Sequence, residues 1–260
     1  MLDFPPNAWY IRHEKRKNER KNAMVWGNFT LTHILSLAVA ALIVVALYFA
    51  LKNAPKKIQL TVLGFLSFSG IAAIIYNLVT WGAPLEYLPL HLCSLNALLL
   101  PVVVFTRNKT MGNLLLLWSL GALVALILNY DMAAATLFDA PFCFYYFPHV
   151  LEFGIPILLF KLGLVEKDVR CIGSTIVITM ICYTLIHFVN VALNNHYASI
   201  GSETVANYMF SVQPSNPLLA LFYTLVPFQY WYMYMVVPVI AVYLLAVYAP
   251  QILKKCRNKV

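Results

Sequence analysis

The sequence predicts an all-α polytopic membrane protein with seven transmembrane helices, an extracytoplasmic N-terminus and a cytoplasmic C-terminus. Three observations predict it. Of the 260 residues, 62% are hydrophobic and 11% charged, the balance of a chain whose surface meets lipid. Seven apolar segments approach or exceed the roughly 20 residues a helix needs to cross a bilayer, and the short alternating segments of a β-barrel are missing. Lys and Arg crowd into alternate connections, which sets orientation by the positive-inside rule.

Residues 1–27 read as a polar tail carrying Arg12, Lys15, Arg16, Lys17, Arg20 and Lys21. The expected spans follow at about 28–51, 58–81, 86–106, 110–129, 141–163, 171–193 and 218–248, together one membrane domain over 28–253. The last is too long for one straight span, and Pro227 and Pro238 interrupt it. Residues 194–217 form the one long polar loop, and 254–260 a basic tail.

Lys52, Lys56 and Lys57 follow the first span, Arg107 and Lys109 the third, and Lys161, Lys167 and Arg170 surround the end of the fifth. Lys254, Lys255, Arg257 and Lys259 end the chain, whereas the loops after spans two, four and six hold only Asp131, Asp139 and Glu203. The C-terminus is therefore expected in the cytoplasm and the polar loops outside. The basic N-tail opposes this arrangement, and leaves open that the first segment does not cross. A bacterial plasma membrane is the expected location. The net charge of +8 reads as topology and attraction to anionic lipid, not as a nucleic-acid surface.

The five cysteines, Cys93, Cys143, Cys171, Cys182 and Cys256, show no CxxC or other metal-ligand spacing. Neither metal nor cofactor is expected. A zinc site built from His33, His91, His149 and Glu152 has suitable ligand types, but no two of the histidines share HxxxH spacing.

Glu86–Asn96 puts His91, Cys93, Ser94 and Asn96 inside an apolar segment, where polar groups are costly unless they find partners or water. At 100° per residue His91 and Cys93 point to nearly opposite sides, while Cys93 and Asn96 share a face. A base for Cys93 must then come from another helix. With a rise of 1.5 Å per residue, Cys93 is expected roughly 10 Å below the outer end of its span, and His149 roughly 12 Å below that of the fifth. Glu152 shares a helix face with His149, either as the third member of a triad or as an interhelical contact. His33, Asn77, Asn129 and His187 sit toward the same leaflet and are candidates to line a polar cavity. Asn96 and Asn129 are candidate oxyanion donors.

On Leu88-Pro89-Leu90-His91-Leu92-Cys93-Ser94 the chain resembles the YwaF and transmembrane protein 164 family. His33 ahead of the first apolar run, His149 near the start of the fifth, and Asn207-Tyr208-Met209-Phe210 with the later Pro214 resemble further family positions. The resemblance implies acyl chemistry on lipids. Animal members are regarded as cysteine-dependent acyltransferases remodelling ether phospholipids, distantly similar to androgen-induced membrane hydrolases. Carried over, Cys93 takes the nucleophile position and His149 the base position, with Asn207 and Tyr208 in the loop that closes over the site. The expected partners are membrane lipids, an acyl donor and a lyso-lipid acceptor. Two functions therefore stand: a membrane acyltransferase or lipid esterase acting on phospholipid or fatty-acid esters, and a non-enzymatic seven-helix transporter or binding protein for a small polar solute or lipid.

Overall fold

A computed structural model of the chain describes residues 24–81, 84–129, 132–215 and 217–257, with side chains as far as Leu253. The basic stretch Arg12–Lys21, Asp131, the side chains of Lys254, Lys255, Cys256 and Arg257, and Lys259 lie outside the described residues. Nine α-helices occur among the described residues. They are α1 (Leu31–Leu51), α2 (Lys56–Ser67), α3 (Ser69–Trp81), α4 (Leu92–Thr106), α5 (Lys109–Leu128), α6 (Ala140–Lys161), α7 (Cys171–Ser199), α8 (Pro217–Leu225) and α9 (Val237–Arg257). Short 3-10 turns occupy Pro84–Glu86, Tyr208–Phe210 and Trp231–Val236.

Six helical stretches among them are long and apolar enough to cross a membrane: α1, α2 with α3, α5, α6, α7 and Trp231–Leu253. With the family assignment reported below, they make this an integral membrane protein. The third expected span differs. The helix begins at Leu92, not near 86, and its 15 residues cover about 22 Å of a hydrocarbon core roughly 30 Å thick. Pro89 explains the late start: it has no backbone N–H to donate and disfavours helical dihedrals at Leu88.

The second span is broken at Phe68, whose backbone N–H turns to Phe65 O at 3.3 Å. Ser67 beside it bonds back to Gly64 O at 2.6 Å, the local competition by which serine bends helices. The last expected span divides as its prolines predict. α8 ends at Leu225, and α9 starts only after the Trp231–Val236 turn.

Met24–Gly27, assigned from sequence to the tail, is folded. Val25 bridges Thr136, Trp26 N–H donates to Ala135 O at 2.9 Å, and Leu137 N–H to Met24 O at 3.0 Å. The Trp26 ring is fully buried and its Nε1–H donates to Ser36 Oγ at 2.7 Å.

The bundle is organised around α6, which packs against α1, α2, α3, α4 and α5, with α7 on the far side of α5. Glycines set the closest approaches. A Cβ on Gly70 would lie 2.5 Å from Ala97 Cβ and 2.7 Å from Glu152 Oε1, so α3, α4 and α6 meet there. At the basic end, Asn113 Nδ2 donates to Glu166 O at 3.1 Å, and its Oδ1 accepts from Asp168 N–H and the Tyr248 hydroxyl. That single amide ties α5, the α6–α7 connection and α9 together.

Candidate functional site

Cys93 stands in the first turn of α4, half-buried, one residue after the helix begins. One turn on, Asn96 is fully buried and its Nδ2 donates to the backbone carbonyl of Glu152 at 3.1 Å. This bond fixes the α4–α6 register and turns the Cys93–Asn96 face toward α6. The Glu152 carboxyl and the Ala97 methyl crowd Gly70 together, so the carboxyl lies beside α4 one turn after Cys93. Glu152 is 4% exposed, and its Oε2 has no hydrogen-bond partner among the described residues; the same holds for Asn96 Oδ1 and for Ser69 Oγ beside Gly70.

His149 lies one turn before Glu152, directly after Pro148. Proline lacks the N–H that would close this turn of the helix. The His149 ring folds back over it, stacked on Tyr145 at 4.2 Å, with Nδ1 bonded to Tyr145 O at 2.7 Å. A carbonyl only accepts, so Nδ1 carries the ring proton and Nε2 of the neutral imidazole keeps its lone pair. The group that orients His149 is thus the carbonyl of its own helix, not the carboxyl of Glu152.

The other expected cavity residues go elsewhere. His33 is fully buried with both nitrogens engaged: Phe29 N–H donates to Nδ1 at 2.9 Å, and Nε2 bonds Leu126 O at 2.8 Å. Asn129 closes α5 in the left-handed region (φ 43°) and its Nδ2 donates to Gly27 O at 2.6 Å. These two hold the Trp26 ribbon on α1 and α5. Asn77 Oδ1 accepts from Trp81 Nε1–H at 3.3 Å, near the end of α3.

His91, His187, Asn207 and Tyr208 belong to a third group, where the loop after α7 docks; α7 runs on to Ser199, so Asn194–Ser199 of the expected 194–217 loop are helical. Met209 N–H points to His91 Nδ1 at 3.4 Å, and the His91 ring meets Tyr208 edge-on at 5.3 Å. The Tyr208 hydroxyl donates to Leu85 O at 2.6 Å and accepts from Leu88 N–H at 3.2 Å. Asn190 exchanges two bonds with the Tyr208 backbone, at 2.8 and 2.9 Å, and Asn194 does the same with Ala206, at 3.0 and 2.7 Å. Asn207 folds the loop on itself by accepting from Val212 and Gln213 N–H.

Sequence reasoning missed Ser211. It is fully buried, accepts from Asn190 Nδ2 at 2.9 Å and contacts His187 Nδ1 at 3.0 Å. One hydroxyl thus links two side chains of α7. The available signal was the spacing of His187, Asn190 and Asn194, which puts three polar groups on one helix face that has to meet something polar.

The site residues lie inside the stretch matched by a known family: the model of the TMEM164 family covers residues 28–247. The chain belongs to the TMEM164 family. No curated protein and no solved structure matches it. The TMEM164 match takes in every helix from α1 to most of α9, and with them Cys93, His149 and Glu152 together with the docked loop.

Proposed function

We propose that this TMEM164 family protein is a cysteine-dependent lipid acyltransferase or esterase, working on phospholipid or fatty-acid esters from the outer leaflet. The observation that carries the proposal is the bond between His149 Nδ1 and the Tyr145 carbonyl. Tyr145 O takes Nδ1–H, which leaves Nε2 as a free base on the helix that the Cys93 face of α4 packs against.

In the proposed reaction Nε2 takes the thiol proton and Sγ bonds to the acyl carbonyl carbon. Collapse of the tetrahedral adduct breaks the acyl C–O bond, and the imidazolium returns its proton to the departing alkoxide. The resulting thioester is attacked by a lyso-lipid hydroxyl or by water, whose proton passes to Nε2. The C–S bond then breaks and the thiolate regains that proton. Nothing is oxidised or reduced.

The test uses purified full-length protein in lipid nanodiscs with an acyl-labelled phospholipid and a lyso-lipid acceptor. Label should be trapped as a thioester on the Cys93 peptide, and transfer should be lost in Cys93→Ala. A thiol probe should modify Cys93 ahead of Cys143, Cys171 and Cys182. Undiminished transfer by C93A, or solute uptake without transfer, would overturn the proposal in favour of the transporter.

A further inference from the structure

Among the unpaired buried atoms of the described residues, the acidic one belongs to Glu152. Its Oε2 is enclosed without a hydrogen bond among the described residues, and Oε1 lies against the α3 backbone at Gly70. An isolated carboxylate at this depth is expensive, and in a medium of low polarity it is neutralised rather than left charged.

The neighbours offer no compensating charge. On α2, Lys56 and Lys57 stand at the end away from Cys93, and so do Arg107 at the close of α4, Lys109 at the start of α5 and Lys161 at the end of α6. On α1, His33 has both nitrogens spent; on α3, Tyr76 stacks on Phe144. His149 gives its Nδ1 proton to Tyr145. Cys93 is the reactive group one turn from Ala97 and Asn96, the two α4 residues that Glu152 lies against.

We propose that Glu152 carries its proton and uses it as a hydrogen-bond donor to the thiolate that forms at Cys93. A neutral acid next to a nascent anion lowers its energy, whereas a carboxylate there would raise it. Two further features support the arrangement. Asn96 holds the Glu152 backbone, so the α6 segment bearing the acid is fixed relative to the thiol. Gly70 leaves the room the carboxyl occupies. The role rests on Cys93 being the nucleophile of the proposed transfer, but its physical content can be measured without any transfer.

The deciding experiment follows the pH dependence of Cys93 alkylation by iodoacetamide, read peptide by peptide by mass spectrometry, in full-length protein in nanodiscs. A donor role predicts that Glu152→Gln, whose amide also donates, alkylates with the wild-type midpoint, while Glu152→Ala moves the midpoint to higher pH. If Glu152 were ionised beside the thiol, E152Q would remove a negative charge and its midpoint would fall; that result overturns the proposal. Transfer should drop about 10²-fold in E152A, the usual loss of one such donor, and stay within about tenfold of wild type in E152Q. As a measurement needing no variant, infrared spectra of wild-type protein with ¹³C-labelled glutamate should show a protonated-carboxyl band at neutral pH that shifts with the label. No such band also overturns it. If C93A keeps its transfer while alkylation behaves as described, the enzymatic reading fails and the Glu152–Cys93 pairing stands.

Discussion

At the scale of single residues, side chains of one type do different work because their partners differ. His33 has two backbone partners and no lone pair to offer, His149 has one and keeps a base, and His187 meets a serine hydroxyl. Gly70 is equally determined by its surroundings, since a methyl group there meets Ala97 and the Glu152 carboxyl at once. Gly70→Ala should therefore destabilise the protein by about 1–3 kcal/mol, the usual cost of overpacking a fitted contact. It should also slow acyl transfer, because the displaced group is Glu152. Thermal unfolding in detergent together with the transfer rate checks this. An unchanged melting temperature would mean that the α3–α4–α6 junction is looser than its geometry requires.

At the scale of elements, the broken start of the third span explains the docked loop. Residues between Pro84 and His91 leave the helix ladder, and backbone groups at membrane depth are tolerated outside helices only where protein covers them. Tyr208 provides the cover: buried itself, it satisfies Leu85 O and Leu88 N–H with one hydroxyl while α7 grips its backbone through Asn190. The loop is thus a fitted part of the wall near Cys93. Tyr208→Phe deletes both contacts and leaves two backbone groups unpaired, at a cost of about 1–3 kcal/mol each where they are buried. Amide exchange measured by mass spectrometry should quicken in peptides spanning 84–91 and 205–213 more than in α5. Exchange confined to the loop, with 84–91 unaffected, would show that the segment closes without it.

At the scale of the molecule, the position of α6 decides where chemistry is possible. The helix bearing His149 and Glu152 packs against five others, while α1, α7 and α9 present mostly lipid-facing apolar surface. A polar site on the central helix is shielded by its five neighbours, and Cys93 stands toward the end of the bundle where the loop docks on His91. The charge pattern supports placing that end outside: Arg107, Lys109, Lys161, Lys167 and Arg170 all lie at the opposite end from Cys93 and the docked loop. A cysteine introduced into the loop after α7 should accordingly react with a membrane-impermeant maleimide on intact cells, and a C-terminal tag should be reached only after lysis. The reverse pattern would place Cys93 at the cytoplasmic leaflet.

The sequence by itself determined the membrane class, the α-helical fold and which polar residues lie within apolar segments, because hydropathy, span length and the cost of burying His, Cys and Glu in lipid are properties of the residues themselves. Pro227 and Pro238 announced the division of the last span; the effect of Pro89 is just as local, yet the span was expected from about 86 and the helix starts at Leu92. Tertiary structure alone decided which polar groups meet. His33, Asn129, His91 and His187 share a leaflet with Cys93 in the sequence, yet they are spent on the Trp26 ribbon or the docked loop, while Asn96, one turn after Cys93, holds the Glu152 carbonyl. Depth along a helix follows from counting residues. Partnership depends on rotation and on which helices touch, and those are set by contacts such as Gly70 against Ala97 and Asn96 on the Glu152 carbonyl, which no single segment encodes.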